Sequence, residues 1–248
     1  MALSETGCLR FDATEATRRW AAAARRAALR LAAVPDVLRS NLRHGGTWFV
    51  GLDTLPNDAA GAVDGAPFDG PWSDHLPLRG DLHRAQLSIV YPGYPARDPG
   101  QSEANHRFRV ERKAAHVDGL LPVGAERRRF PAEFHAYVLG VHLNACAEAP
   151  TVWWPGSHRI IGRALRQAIG PADPSSVDVT EAYHAARREV FETCRPCALT
   201  GPPGASFLLH RFALHGTEPW RGPRQPEGRM TAFFRPEFED ENAWLTAE

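Results

Sequence analysis

The triplet His116-Val117-Asp118 is the first candidate for metal chemistry in this sequence, and it is the only H-x-D in the chain. In an extended segment, side chains two residues apart point to the same face, so a histidine and a carboxylate at this spacing can bind one ion together. The chain contains 11 histidines, and about one H-x-D is expected by chance in such a sequence. The triplet therefore needs a further ligand before it predicts a site.

A histidine far downstream can supply that ligand. The apolar segment 207–214 ends at His215, which is followed by Gly216. Two histidines and one carboxylate on one face leave three coordination positions open, as in non-haem Fe(II) sites that use O₂. A structural zinc site closes its fourth position with cysteine or histidine instead. We therefore predict that His116, Asp118 and His215 hold a catalytic metal.

His210 competes with His215 for the role of distal ligand. The two positions have opposite parity, so a regular strand would not direct both side chains into one lumen. Gly216 permits a sharp turn after His215, and Thr217 adds a nearby hydroxyl. We predict that His215 is the ligand and that His210 is packed or supports a ligand.

An arginine opens a later strand candidate, 229–234. A buried guanidinium is costly unless it meets a carboxylate in bidentate geometry. We expect Arg229 to bind the distal carboxylate of 2-oxoglutarate, with Thr217 donating a supporting hydrogen bond.

The elements that must position these residues are many short strands, preceded and interrupted by helices. Residues 12–15 have the spacing of a capping box, and they open an amphipathic helix that ends near Pro35, followed by a short helix at 36–42. Helical patterns at 160–169 and about 178–194 form one insertion. Strand candidates, marked by β-branched and aromatic residues, lie at 47–50, 85–91, 108–110, 136–143, 151–154, 205–210 and 229–234.

This order predicts a fold class that is mainly β with α, with a double-stranded β-helix (a cupin-like jelly roll) as its core. We expect one domain over residues 1–248. In it, 1–45 forms a helical buttress, 46–240 forms the core, and the helical insertion lies at about 160–194.

Composition excludes several other classes. Lys plus Arg and Asp plus Glu both total 29, whereas nucleic-acid binders carry a basic excess. No stretch reaches the roughly 20 apolar residues that cross a bilayer, and we expect a cytoplasmic protein. The C-x-x-C pair Cys194 and Cys197 has no second pair to complete a zinc cage, so these thiols are expected to be structural or incidental.

Together these segments resemble the phytanoyl-CoA dioxygenase-like family of Fe(II)- and 2-oxoglutarate-dependent oxygenases. The likeness rests on four motifs in the family's order, from about residue 86 to 235: His116-x-Asp118, Trp153-Trp154-Pro155-Gly156-Ser157-His158, Leu214-His215-Gly216-Thr217 and Arg229. It implies Fe(II), 2-oxoglutarate and O₂ as cofactor and co-substrates, and hydroxylation of a small molecule with release of succinate and CO₂. Because Asp118 is retained where the related halogenases have a small residue, hydroxylation is the expected reaction.

Two departures from the family pattern leave alternatives open. Arg229 lies further beyond the distal histidine than the family spacing, so Arg224 is a second candidate for the co-substrate arginine. The family's lysine near the first core strand has no counterpart in this sequence.

The substrate pocket is less defined than the metal site. Gln86, Asn144, Trp153 and Arg127 are its candidate residues, and the run 127–129 offers cations for an anionic group. His158 is expected to be structural. The alternative function is a non-catalytic or other-metal cupin-like binding protein, and the sequence does not determine the oligomeric state.

Overall fold

The computed structural model describes residues 2–247, which form seven α-helices and twelve strands. The helices are α1 (Leu3–Thr6), α2 (Glu15–Ala32), α3 (Pro35–Asn41), α4 (Glu103–Glu111), α5 (Ser157–Ile169), α6 (Thr180–Thr193) and α7 (Glu241–Thr246). The strands are β1 (Cys8–Phe11), β2 (Leu42–Arg43), β3 (Trp48–Gly51), β4 (Gln86–Val90), β5 (Leu120–Val123), β6 (Arg128–Pro131), β7 (Tyr137–His142), β8 (Thr151–Trp153), β9 (Cys197–Leu199), β10 (Ser206–His210), β11 (His215–Thr217) and β12 (Arg229–Phe234).

Two antiparallel sheets form the core. The larger has the order β1-β10-β7-β12-β4-β3-β2, and the smaller has the order β11-β8-β9. An isolated bridge between His116 and His215 extends the smaller sheet beyond β11. Except along the β4-β3-β2 edge, neighbouring strands of the larger sheet are far apart in sequence, which is the connectivity of a double-stranded β-helix. The predicted fold class is therefore confirmed.

Each sheet contacts the other on one face and helices on the opposite face. Val138 and Phe207 of the larger sheet meet Trp153 of the smaller one in an apolar cluster between them. On the outside of the larger sheet lies α2, whose Trp20 is fully buried and donates a hydrogen bond to the carbonyl of Gly61 at 2.8 Å. Helices α5 and α6 cover the outside of the smaller sheet, as two members of one further cluster. Helix α2, the larger sheet, the smaller sheet and the pair α5 and α6 thus form four successive layers.

The first 45 residues contribute to the sheet as well as to helices. The predicted helices match α2 and α3, but β1 also pairs with β10 along the edge of the larger sheet. The capping box was misplaced, because Thr14 and not Asp12 precedes α2. Thr14 accepts a hydrogen bond from the Thr17 amide at 3.2 Å, and its own amide donates to Thr17 Oγ1 at 2.9 Å.

One predicted strand is wrong. Residues 108–110 lie in helix α4, which begins after Ser102, whose hydroxyl accepts from the Asn105 amide at 3.2 Å. This N-cap outweighs the strand preference of the short segment.

The predicted helical insertion is present as α5 and α6, and it docks on a hairpin that the sequence did not indicate. In that hairpin β5 pairs with β6. The amide of Arg129 in β6 donates to Thr180 Oγ1 at 2.7 Å, and the amide of Val179 donates to the carbonyl of Arg129 at 2.9 Å. The start of α6 and the hairpin are therefore fixed to one another.

Three smaller points complete the comparison with the sequence. Cys8, Cys146, Cys194 and Cys197 form no disulfide. Across residues 2–247, none of the helices combines the length and apolarity that a membrane crossing requires. Met1 and Glu248, the ends of the predicted single domain, lie outside the described residues.

Candidate metal centre

The three predicted ligands come together at one end of the smaller sheet. One ligand atom from each of His116, Asp118 and His215 lies within 4.8 Å of the other two. Asp118 Oδ1 is 3.2 Å from His116 Nε2, and its Oδ2 is 3.6 Å from His215 Nε2. His215 and Asp118 are largely buried, whereas the side chain of His116 is 48% exposed. The centre is therefore open to solvent on one side only.

Backbone carbonyls orient both histidine rings. Nδ1 of His116 lies 2.8 Å from the carbonyl of Ala114, and Nδ1 of His215 lies 2.9 Å from the carbonyl of Ala213. A carbonyl can only accept, so each Nδ1 donates its proton there, and each Nε2 is directed toward Asp118, where it is the atom available to a metal ion. This is the usual arrangement of metal-ligating histidines, whose second nitrogen donates to a fixed acceptor.

The electrostatics of the triad call for a cation. Two imidazole lone pairs and a carboxylate repel each other unless a proton or a metal ion lies between them. Burial alone would raise the pKa of Asp118, but His215, His116 and Arg235 together hold that pKa well below its usual range. Burial alone would lower the pKa of His215, but Asp118 raises it. The donor set therefore fits a divalent metal ion.

A backbone pair fixes the distance between the two histidines. The His116 amide donates to the His215 carbonyl at 2.8 Å, and the reverse bond is 3.0 Å. Next to this pair, a Cβ on Gly216 would lie 2.2 Å from the carbonyl oxygen of Lys113. Glycine is thus required here by the close approach of two backbones and not, as the sequence indicated, by a sharp turn.

The Trp154–Ser157 turn supports the distal ligand. The Leu214 amide donates to Ser157 Oγ at 2.9 Å, and the Leu214 carbonyl accepts from the Trp154 amide at 3.0 Å. Both polar groups of the residue before His215 are therefore held by this motif. His158 at the end of the motif turns away, with its Nε2 3.2 Å from the carbonyl of Ser4.

His210 ends a strand in the other sheet. Its Nδ1 accepts a hydrogen bond from the Phe212 amide at 3.1 Å, and its ring packs against that of His158 at a centroid distance of 5.3 Å. The two competing histidines therefore lie on β10 and β11, strands of different sheets, and not on opposite faces of one strand.

A cavity of about 220 Å³ opens in front of the triad. The predicted residues Gln86 and Thr217 line it, together with Trp48, Ser88, Val138, Thr151, Phe233 and Arg235.

Three of the predicted pocket residues lie elsewhere. Trp153 packs between the sheets and lies outside the cavity lining. Asn144 binds backbone: its side chain accepts from the Met230 amide at 3.0 Å and donates to the Gly228 carbonyl at 2.7 Å. Arg127 lines a second, outer cavity of about 610 Å³, which also borders His116 and Asp118.

Sequence reasoning missed Arg235, which contacts the triad directly. Its Nη1 lies 3.4 Å from Asp118 Oδ2, and its Nη2 donates to Gln86 Oε1 at 2.6 Å. Residues 229, 231 and 233 lie on one face of β12, and Arg235, directly after the strand, continues this alternation. The sequence argument used only the position of Arg229 at the start of the strand.

Arg229 is 2% exposed, whereas Arg224 lies exposed in the preceding turn. Nε of Arg229 donates to the Ala149 carbonyl at 3.1 Å, and Nη1 donates to Thr231 Oγ1 at 2.7 Å. Burial lowers the pKa of Arg229 to about 10. Within residues 2–247, no carboxylate forms an ion pair with this guanidinium. It is therefore a buried cation that lacks an anionic partner.

Comparison with known proteins finds resemblance only at the level of solved structures. The sequence matches no protein-family model and no curated protein. EctD from S. alaskensis, solved with 2-oxoglutarate and 5-hydroxyectoine, aligns over 94% of this chain and 73% of its own at 19% identity, with a TM-score of 0.48. The non-haem α-ketoglutarate-dependent carbocyclase SnoK from nogalamycin biosynthesis aligns over 94% and 81% at 13% identity (TM-score 0.44). AviO1 from Streptomyces viridochromogenes Tue57 aligns over 94% and 90% at 16% identity (TM-score 0.44). Each likeness is distant in both sequence and structure.

Replacing Ser157 with alanine tests the support of the distal ligand. The change leaves the buried Leu214 amide without an acceptor, so we expect the free energy of unfolding to fall by about 1–3 kcal/mol. We expect metal affinity to fall by about ten-fold, because His215 loses its positioning. Urea unfolding and metal titration measure the two effects. Ser40→Ala, at an exposed serine, is the control, and equal effects in both variants would contradict the assigned role.

Burial of His210 predicts a pH dependence of stability. Burial lowers its pKa to about 3, whereas the unfolded chain has a histidine pKa near 6.5. The unfolded state therefore binds a proton that the folded state excludes, so this contribution to stability is complete above about pH 6.5 and is lost as the pH falls toward 3. His210→Asn keeps an acceptor for the Phe212 amide but cannot titrate. Between pH 6 and 4 we expect the unfolding free energy of the variant to fall less steeply with decreasing pH than that of the parent. The difference between the two slopes is about 1.4 kcal/mol per pH unit. Urea unfolding across this range measures both slopes, and identical slopes would refute the prediction.

Proposed function

We propose that this chain is a mononuclear non-haem iron oxygenase that uses 2-oxoglutarate and O₂ to oxidise a small organic substrate. The observation that carries the proposal is the convergence of two Nε2 lone pairs and one carboxylate on the mouth of a cavity, within 4.8 Å of each other. Such a set of donors needs a cation, and the three donors occupy only one face of that ion's coordination sphere. The remaining positions are then available for co-substrate and O₂.

The donor set favours iron over a structural metal. Within residues 2–247, the triad is the one group of three or more histidine, cysteine or acidic side chains arranged to hold an ion. No fourth protein ligand closes the site, as structural zinc requires. When bound, iron and 2-oxoglutarate would supply O₂ activation coupled to decarboxylation, with succinate and CO₂ as products.

Arg229 supports 2-oxoglutarate as the co-substrate. It is buried, positively charged and without a carboxylate partner, and a carboxylate is the group that best offsets such a cation. It shares the lumen face of β12 with Phe233, which lines the cavity before the triad. Thr217 and Thr151, paired across β11 and β8, add hydroxyls to the wall of the same cavity.

The chain's own residues then have distinct tasks. The Ala114 and Ala213 carbonyls keep the Nε2 atoms of the ligands aimed at one point. Arg235 stabilises the anionic form of Asp118. Apolar walls from Val138 and Phe233 limit the access of water to the reacting centre. With Asp118 as a third protein ligand, we propose hydroxylation as the reaction.

Anaerobic addition of Fe(II) and 2-oxoglutarate to the metal-free protein tests the proposal. We expect a visible charge-transfer band from iron chelated by the 2-oxo acid, and its loss in His116→Ala, which removes one ligand. His75→Ala, at an exposed histidine outside the triad, should retain the band. A correctly folded parent that binds Fe(II) and gives no band would favour a cupin-like binding protein instead.

Arg229→Met separates the co-substrate site from the metal site. The substitution keeps much of the side-chain volume and removes the charge, so we expect the Kd of 2-oxoglutarate to rise at least ten-fold, or about 1.4 kcal/mol. The Kd of Fe(II) should change less than about two-fold, because the triad is intact. Titrations monitored by the charge-transfer band provide both values. Arg224→Met is the matched control. A larger rise in the Kd of 2-oxoglutarate in that variant would identify Arg224 as the residue that binds the co-substrate.

A further inference from the structure

The outer cavity of about 610 Å³ is walled mainly by elements outside the jelly roll. Helix α4, the β5–β6 hairpin and α6 surround it, and His116 and Asp118 form part of its inner wall. A molecule in this cavity therefore has one end at the candidate metal centre and the other among those three elements.

Four arginines of these elements line the outer cavity without an anionic partner. They are Arg127 and Arg129 of the hairpin, Arg187 of α6 and Arg109 of α4, and no carboxylate within residues 2–247 forms an ion pair with them. Arg109 donates to the Tyr94 hydroxyl at 3.3 Å and lies over the Trp48 ring, so the other three form the anion-binding candidates. Arg128, between the first two, is directed elsewhere and binds Asp178 and Glu181. Within the hairpin, the two arginines without an ion pair are thus the two that line the cavity.

The carboxylates of the cavity wall do not offset this charge. Apart from the candidate ligand Asp118, Glu133 is the acidic residue of the lining, and it binds His135 at 3.0 Å. The lining therefore holds more positive than negative charge, which attracts an anion into a partly enclosed space.

Two of these arginines, Arg187 and Arg129, are held in place by the protein itself. The Arg187 guanidinium lies over the rings of Phe108 and Tyr183, at 5.0 and 5.3 Å from their centroids. Nη1 of Arg129 donates to the Leu120 carbonyl at 3.0 Å. Burial lowers the pKa of Arg129, and Arg127 and Arg187 lower it further against an opposing effect of Tyr183. These cations repel each other, and a bound anion would relieve the repulsion.

Tyr183 joins this cluster to the candidate metal centre. Its hydroxyl accepts a hydrogen bond from the amide of Val117 at 3.2 Å, and Val117 lies between the ligands His116 and Asp118. The ring that carries Arg187 is therefore attached to the segment that carries the metal.

We infer that the outer cavity binds the acidic group of the substrate, a phosphate or carboxylate, through Arg127, Arg129 and Arg187, with the rest of the molecule directed toward His116 and Asp118. This inference rests on the proposed function, since it names the substrate class of that site. The anion site is separate from Arg229, which serves the co-substrate.

Calorimetric titration with three small probes tests the inference. Phenyl phosphate, benzoate and benzyl alcohol share an aromatic ring and differ in charge. Each is added to the full chain, both metal-free and, under argon, with Fe(II) and 2-oxoglutarate. We expect the anionic probes to bind at least ten-fold more tightly than benzyl alcohol. Preference for phenyl phosphate assigns a phosphate, and preference for benzoate assigns a carboxylate.

Variants locate the binding site. Arg187→Gln and Arg129→Gln should each weaken the preferred anion at least ten-fold, whereas Arg188→Gln, at the exposed neighbour on the same helix, should change it less than two-fold. Circular dichroism and urea unfolding confirm that the variants are folded. Equal binding of charged and neutral probes, no binding of any probe, or equal losses in Arg187→Gln and Arg188→Gln would overturn the inference.

The metal-free titrations separate this result from the proposed function. If the charge-transfer band is absent but the arginine-dependent anion binding persists, the oxygenase proposal fails and the anion site stands. If the band forms and anion binding does not depend on these arginines, the substrate class is wrong and the oxygenase proposal stands.

Discussion

The whole site depends on one backbone pair, the two hydrogen bonds between His116 and His215. These residues belong to segments about a hundred positions apart, and each carries a ligand. Because the pairing fixes their Cα atoms and Nδ1 bonds fix their rings, the spacing of the two Nε2 atoms is decided by the sheet. Asp118 then needs only to follow His116 by two residues to complete a face. The spacing of the candidate ligands is thus set by strand pairing.

The same arrangement concentrates unfavourable electrostatics at the mouth of the lumen. Lone pairs of two imidazoles meet a buried carboxylate, and Arg235 offsets only part of that charge. Further along β12, Arg229 is a buried cation that forms no ion pair with a carboxylate of residues 2–247. The folded chain maintains both because the surrounding sheets overdetermine their positions. The negative charge at the triad therefore suits a bound cation, and the positive charge of Arg229 suits a bound anion.

The sequence predicted the parts that depend on local pattern and failed where distant contacts decide. The H-x-D triplet and the apolar segment that ends at His215 were enough to identify His116, Asp118 and His215, which the fold brings together. The parity argument against His210 does not apply, because the two histidines lie in different sheets. The aromatic and β-branched character of 108–110 misled, because capping by Ser102 selects a helix. The β5–β6 hairpin has mostly exposed or half-buried residues, so no hydrophobic alternation marked it. Arg235 was missed although its parity matched that of Arg229.

The attachment of α6 to the hairpin, through Thr180 and Arg129, has a consequence for divergence of the protein. These two elements form a module that is linked to the ligand segment at Val117 and contributes no ligand of its own. Mutations in the module can therefore accumulate together while the geometry of the candidate metal centre is inherited unchanged. Exchange of this module between related barrels would change the wall of the outer cavity and leave the three candidate ligands in place.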